Sequence, residues 1–234
     1  MPLIYSLGLF LFLIIVLAVL RQRLVYEISG TSLLLFGSTK PGITLYSIIF
    51  LPGTVIHELS HWLVAEILQV RTGEITILPD WDGGDSQSRR LGSVATERSD
   101  PFRGFLIGLA PFISGMIILL VLGQLLQSGW NTLAWGYLAL IIYGIVVVGN
   151  SMMISKEDRR TWPIILILLA IILIMVYQYY PNTFFITDTV YNNGILLLNQ
   201  ILGVTAGLNL VMIGGSYLVR RIVEILTKKR ILHK

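Results

Sequence analysis

The chain of 234 residues is 55% hydrophobic and only 13% charged, with a mean hydropathy of +0.79. A soluble domain carries about 25% charged residues, so this composition predicts a multi-pass membrane protein. In such a protein, the excess of Lys and Arg that gives the net charge of +4 is expected to orient the chain in the lipid bilayer rather than to bind nucleic acid. The lack of cysteine excludes disulfides, thiolate metal sites and a cysteine nucleophile.

Apolar segments of spanning length divide the chain into about six predicted transmembrane helices. They are Leu3–Leu20, Ile43–Val70, Phe105–Leu122, Leu133–Gly149, Trp162–Tyr177 and Gly194–Val219. The expected fold class is therefore an all-α membrane protein that forms a single multi-pass domain over residues 1–234. The first segment lacks a basic leader and a small-residue cleavage site, which favours a retained helix over a signal peptide.

Between the first two segments, Leu24–Lys40 carries short apolar runs that Gly30 and Gly37 interrupt. Runs of this length cannot span the bilayer as helices, so a hairpin or a membrane-dipping loop is expected there. The second segment contains Pro52, and proline is favourable in the first turn of a helix. A regular helix is expected from Pro52 to Val70, after a kinked or irregular stretch.

This second helix carries the motif H-E-x-x-H, formed by His57, Glu58 and His61. Residues four apart lie on one face of a helix, so both imidazoles can bind one zinc ion. Glu58 is offset around the helix and can reach a water on that metal as a general base. A helix ending at Val70 places His61 about 14 Å from that end, so the site is expected inside the membrane.

A polar loop, residues 71–103, follows the motif helix. Glu74–Leu78 alternates like a strand, and Arg90–Thr96 fits a return strand after a turn-rich stretch. A small β-containing region is thus expected directly after the zinc-site helix. At the other end of the chain, the Lys and Arg residues of 220–234 predict a basic tail that lies in solvent or on lipid headgroups.

Six spans would put both ends of the chain on one side of the bilayer. That side would receive the 71–103 loop, the 156–160 stretch and the basic tail, which hold most of the 17 Lys and Arg residues. By the positive-inside rule, both termini are expected on the cytoplasmic side of the cell membrane.

A catalytic zinc site needs a third protein ligand beside the two histidines. Acidic residues are scarce near the predicted membrane, but Glu157 and Asp158 stand at the cytoplasmic end of the fourth span. Spacing alone leaves both candidates open. It also leaves open the plainer interpretation that residues 156–160 form an ordinary solvated loop.

The order of these parts resembles the site-2 protease family of intramembrane zinc metalloproteases. In that family a membrane-embedded H-E-x-x-H is followed by a strand-containing loop, a helix with a Gly/Pro element, and the motif N-x-x-P-x-x-P-x-D-G. Asn150 and Asp158 keep the Asn-to-Asp spacing of the last motif. Its two prolines and its glycine are replaced by Met153, Lys156 and Arg159. The helix element corresponds to Gly108-Leu109-Ala110-Pro111 followed by Gly115.

The resemblance covers roughly residues 52–162, the three-helix catalytic core of that family. It implies one zinc ion bound by His57, His61 and Asp158, with Glu58 as the general base. It also implies a substrate-contacting or oxyanion-stabilising role for Asn150. The expected activity is hydrolysis of peptide bonds within or near the transmembrane segments of membrane-protein substrates.

Two other functions fit the same residues. A multi-pass protein that binds or transports a metal ion would also bury histidine, aspartate and asparagine among its helices. A protease relative without activity, acting as a scaffold, would account for the missing motif prolines. A Glu58→Gln variant separates a protease from a transporter, because only the protease needs a general base.

Overall fold

The computed structural model describes residues 3–76, 93–96, 100–153 and 189–228, together with positions 155, 158, 162, 163, 165, 167, 171 and 178. Within the continuous ranges the helices are α1 (Leu3–Phe36), α2 (Lys40–Ile49), α3 (Leu51–Ile67), α4 (Pro101–Gly129), α5 (Trp135–Ser151) and α6 (Thr189–Thr227). The strands are β1 (Thr72–Thr76) and β2 (Ser93–Thr96). The predicted helical architecture, with a small β region after the motif helix, is confirmed.

Helix α1 continues without a break to Phe36, through most of the Leu24–Lys40 stretch, so the prediction of a hairpin or a membrane-dipping loop there is wrong. Its 34 residues rise about 51 Å. Buried side chains recur at Leu17, Leu24, Glu27 and Leu34. This is helical spacing, so the short apolar runs form one buried stripe instead of ending the helix. The chain leaves the helix at Gly37, whose φ of 69° is a left-handed conformation that glycine adopts without strain.

Helices α2 and α3 form one apolar segment that bends by 76° at Phe50. Pro52 accounts for the break, because it has no N–H for the carbonyl four residues earlier and its ring disfavours helix just before it. The predicted break near Pro52 is confirmed. The stretch before it is a regular helix, however, and α3 ends at Ile67 rather than at Val70.

Three helices, α1, α4 and α6, are long and apolar enough to cross a membrane, and the bent α2–α3 pair would make a fourth span. Helix α5 is apolar but has only 17 residues, about 25 Å of rise. Most of the predicted span Trp162–Tyr177 lies outside the described residues. The membrane character of the chain is supported by these helices, whereas the predicted number of about six spans is not confirmed.

Strands β1 and β2 pair antiparallel, with Thr72 opposite Thr96 and Thr76 opposite Ser93. Both strands contact α3, so the small sheet lies at the end of the motif helix. The prediction of a strand-containing loop is confirmed, with β1 beginning two residues before the expected Glu74.

Helices α1 and α6 lie side by side and run in the same direction. At one end the side-chain amide of Asn199 donates to the Ser6 carbonyl oxygen at 2.8 Å. Toward the other end the Arg220 guanidinium donates to the Glu27 carboxylate at 2.5 Å. Both contacts join residues 193 apart in sequence, and a constant separation requires parallel helices.

A buried ionic cluster joins these two helices. Glu27 is fully buried and pairs with Arg220 and with Arg23, the latter at 2.6 Å. Arg220 also binds Glu224 at 2.8 Å, and the exposed Arg221 binds Glu224 at 3.2 Å. The predicted basic tail therefore begins inside α6. Its first residue, Arg220, is buried, because carboxylates on both helices compensate its charge.

The apolar core of the bundle lies where α1, α4, α5 and α6 meet. Its most deeply buried side chains are Leu17, Leu119, Ile145 and Leu202. Ile56 of the motif helix packs against this core from one side. The motif helix is thereby held against the bundle one residue before its first histidine.

Candidate metal centre

Helix α3 presents His57 and His61 one turn apart, with their Nε2 atoms separated by 3.2 Å. Asp158 reaches them from the segment that follows α5. Its Oδ1 lies 3.4 Å from Nε2 of His61, and its Oδ2 lies 3.9 Å from Nε2 of His57. Among the described residues, these three side chains form a group that could hold a metal ion, and they are the three that the resemblance implies.

The spacing of the three side chains fits one small divalent cation. Tetrahedral zinc with bonds of about 2.0–2.1 Å holds its ligand atoms about 3.3 Å apart. The two Nε2 atoms are 3.2 Å apart, Oδ1 of Asp158 is 3.4 Å from His61 and Oδ2 is 3.9 Å from His57. With one ligand atom from each residue, the three atoms lie within 4.8 Å of one another. The rival ligand, Glu157, lies outside the described residues.

Backbone carbonyl groups fix the orientation of both imidazoles. Nδ1 of His57 lies 2.7 Å from the Ser151 carbonyl oxygen, and Nδ1 of His61 lies 2.8 Å from that of Ile107. A carbonyl oxygen can only accept, so each Nδ1 carries a proton, and in the neutral form of the ring Nε2 has the lone pair that can bind a metal. Two lone pairs that face each other at 3.2 Å repel, and a shared cation removes that repulsion.

The position of His57 depends on a close approach of α3 to the end of α5. Ser151 is the last residue of α5, so its carbonyl oxygen has no partner in its own helix. A Cβ atom on Gly53 would overlap the Ser151 hydroxyl oxygen and lie 2.7 Å from the Val147 carbonyl oxygen. Glycine at position 53 therefore allows the contact between the two helices that His57 uses.

Two further glycines give the segment after α5 the room it needs to cross α4. A Cβ atom on Gly108 would overlap the main-chain carbonyl oxygen of Asp158. A Cβ atom on Gly115 would lie 2.5 Å from the Cβ of Met152. The small-residue element found in the sequence thus has a physical reason, because it lets Asp158 approach the histidines.

A pair of reciprocal hydrogen bonds closes the turn that carries Asp158. The Ser155 N–H donates to Oδ2 of Asp158 at 2.7 Å, and the Asp158 N–H donates to the Ser155 hydroxyl oxygen at 3.2 Å. This is the pattern of a capping box. The turn is therefore stabilised by side-chain hydrogen bonds within the stretch where the resembling motif has prolines.

Glu58 and Asn150, the two residues with an expected role in catalysis, are both buried. The Glu58 side chain lies close enough to Asp158 for their carboxylates to interact electrostatically. Asn150 donates its amide N–H to the Val146 carbonyl oxygen at 2.8 Å, within its own helix. Its amide oxygen has no hydrogen-bond partner in the described part of the chain, and no hydrogen bond there joins it to the histidines or Asp158.

Ser60, a variable position of the motif, is a functional candidate that sequence reasoning did not single out. Its hydroxyl lies 2.6 Å from that of Ser114 on α4 and also 2.6 Å from the Ile56 carbonyl oxygen. The contact with Ser114 ties the motif helix to α4 between the two histidines. Two serines in otherwise apolar helices were the available signal, since such residues often form hydrogen bonds between membrane helices.

A narrow cleft borders the centre, with Gly53, His57, Pro111 and Met152 among its lining residues.

Comparison of the chain with known protein families, with curated proteins and with solved structures gives no match. The function must therefore be argued from the chemistry of the site itself.

Proposed function

We propose that the protein is an intramembrane zinc metalloprotease that hydrolyses peptide bonds within or near the transmembrane segments of membrane-protein substrates. The observation that carries the proposal is the convergence of His57, His61 and Asp158 next to the buried Glu58. Two histidines and a carboxylate are a ligand set of hydrolytic zinc sites. The surrounding helices are of membrane-spanning length, in keeping with the resemblance to the site-2 protease family.

A bound zinc ion would supply an activated water and would polarise the scissile carbonyl group. The chain itself contributes the Glu58 carboxylate, which accepts a proton from the attacking water and returns it to the leaving amine. The carbonyl groups of Ile107 and Ser151 keep both imidazoles oriented throughout. A helical substrate must unwind locally first, because its peptide groups are hydrogen-bonded within the helix.

Purified protein is expected to contain one zinc ion per chain, and Asp158→Ala is expected to lose it. The substitution removes one of the three converging ligands and the negative charge among them. The measurement is the metal content after equilibration with a zinc buffer, and Glu157→Ala is the matched control. Zinc retained by Asp158→Ala but lost by Glu157→Ala would assign the third ligand to Glu157. Wild-type protein without zinc would refute a zinc protease.

We also propose a topology in the cell membrane, and the parallel pairing of α1 and α6 supports it. If both helices cross the bilayer, the start of α1 and the end of α6 lie on opposite sides. Arg23, Arg220 and Arg221 cluster at one end of the pair, and the positive-inside rule makes that end cytoplasmic. We therefore place the end of α6 in the cytoplasm and the start of α1 outside, in place of the expected cytoplasmic location of both.

Labelling of single cysteines is expected to distinguish the two topologies, because the chain has no cysteine of its own. In intact cells, a membrane-impermeant maleimide should label Pro2→Cys directly but should label Lys228→Cys only after lysis. Labelling of both variants only after lysis would restore the arrangement with two cytoplasmic ends. Cysteine-free wild-type protein serves as the control for background labelling.

A further inference from the structure

Pro111 lies inside α4, four residues after Ile107. In an α-helix the N–H of residue 111 would donate to the carbonyl oxygen of residue 107. Proline has no N–H, and its ring presses against that same carbonyl group. The Ile107 carbonyl oxygen is the acceptor for Nδ1 of His61 at 2.8 Å. Pro111 therefore occupies the position at which a missing N–H leaves the Ile107 carbonyl oxygen without its helical donor.

We propose that Pro111 is a positioning residue of the metal centre. Because proline has no N–H, the Ile107 carbonyl oxygen stays free to accept a hydrogen bond from Nδ1 of His61. This hydrogen bond fixes the His61 ring in the tautomer in which Nε2 can bind the metal ion. The proposal rests on the proposed function only in requiring that the centre bind a metal ion.

Burial makes this reserved acceptor important. Ile107 and His61 are each only 7% exposed, so their polar groups must find partners within the protein. An N–H at position 111 would compete with the imidazole for one carbonyl oxygen, and the shared hydrogen bonds would be weaker. His57 obtains its acceptor in an equivalent way, from the unpaired carbonyl group at the end of α5. Both imidazoles are thus oriented by carbonyl groups that lack a helical partner.

The test uses Co²⁺ as the probe, because its d–d absorption reports the ligand geometry as well as the affinity. Pro111→Ala restores the N–H and is expected to weaken Co²⁺ binding about tenfold or more, the usual effect of losing a hydrogen bond behind a metal ligand. The absorption spectrum of the bound ion should change with it. Pro101→Ala is the matched control, since position 101 is in the first turn of α4 and frees no carbonyl group.

A second variant tests whether the affinity for Co²⁺ depends on the missing N–H or on the proline ring. Lactic acid incorporated at position 111 gives an ester bond, which lacks both the N–H and the ring, and it is expected to bind Co²⁺ like the wild type. Unchanged affinity in Pro111→Ala would overturn the proposal, and so would weak binding by the ester variant. If wild-type protein binds no Co²⁺, the metal centre itself is refuted. Tight binding by the wild type with no difference between variants refutes only the role of Pro111.

Discussion

Glu58→Gln is expected to lower the rate of proteolysis about 10²- to 10⁴-fold, the contribution usual for general acid–base catalysis. Zinc content is expected to stay at that of the wild type, because Glu58 is not among the three side chains that converge as ligands. Glutamine preserves the size of the side chain but cannot accept the proton of the attacking water. Cleavage is measured on membrane-protein substrates with a weakly helical transmembrane segment, in detergent and in liposomes, beside the zinc content.

Glu66→Gln is the matched control for this experiment. Glu66 is on the same helix, eight residues further along, and is exposed, so its replacement should leave cleavage and zinc content unchanged. Full cleavage by Glu58→Gln would remove Glu58 from the mechanism. Zinc uptake into liposomes by both the wild type and Glu58→Gln would support a metal transporter instead. Zinc binding with neither cleavage nor transport would support an inactive scaffold.

Arg220→Met is expected to lower the free energy of unfolding by about 3 kcal/mol, because it leaves Glu27 buried without its main partner. This is the lower end of the range for a broken buried ion pair, since Arg23 still contacts the Glu27 carboxylate. The measurement is unfolding in detergent by heat or by increasing amounts of sodium dodecyl sulfate.

Two further variants test the physical reason for this loss. Arg221→Met removes the neighbouring exposed guanidinium and should have no measurable effect on unfolding. Adding Glu27→Gln to Arg220→Met removes the uncompensated carboxylate and should recover most of the lost stability. A double variant as unstable as Arg220→Met alone would show that packing, and not the buried charge, causes the loss.

Sequence reasoning found the helices whose apolar periodicity is strong and missed features set by contacts between distant residues. The glycines at positions 30 and 37 predicted a loop, yet α1 continues past Gly30 to Phe36. The ion pair of Glu27 with Arg220 and the burial of Leu24 and Leu34 stabilise this part of the helix. Local propensity does not include such tertiary contacts. The spacing of Arg23 to Glu27 and of Arg220 to Glu224 was nevertheless visible as helical pairs four residues apart.

At the site, the motif spacing alone predicted that His57 and His61 share a helix face. The approach of Asp158 depends on Gly108, and the orientation of the histidines depends on carbonyl groups of Ile107 and Ser151. A backbone acceptor has no signature in the residue type that carries it. Pro111 was the indirect signal, because a proline inside a helix always leaves a carbonyl group four residues earlier without its usual donor.

The contact between Glu27 and Arg220 also bears on the order in which the protein assembles. Its partners are 193 residues apart, so it cannot form until the chain has been synthesised as far as Arg220. Until then Glu27 is a charged group on an apolar helix without its main counter-ion, which is costly in lipid. Helix α1 therefore reaches its final environment only when α6 arrives, long after α3, which carries His57 and His61, has been made.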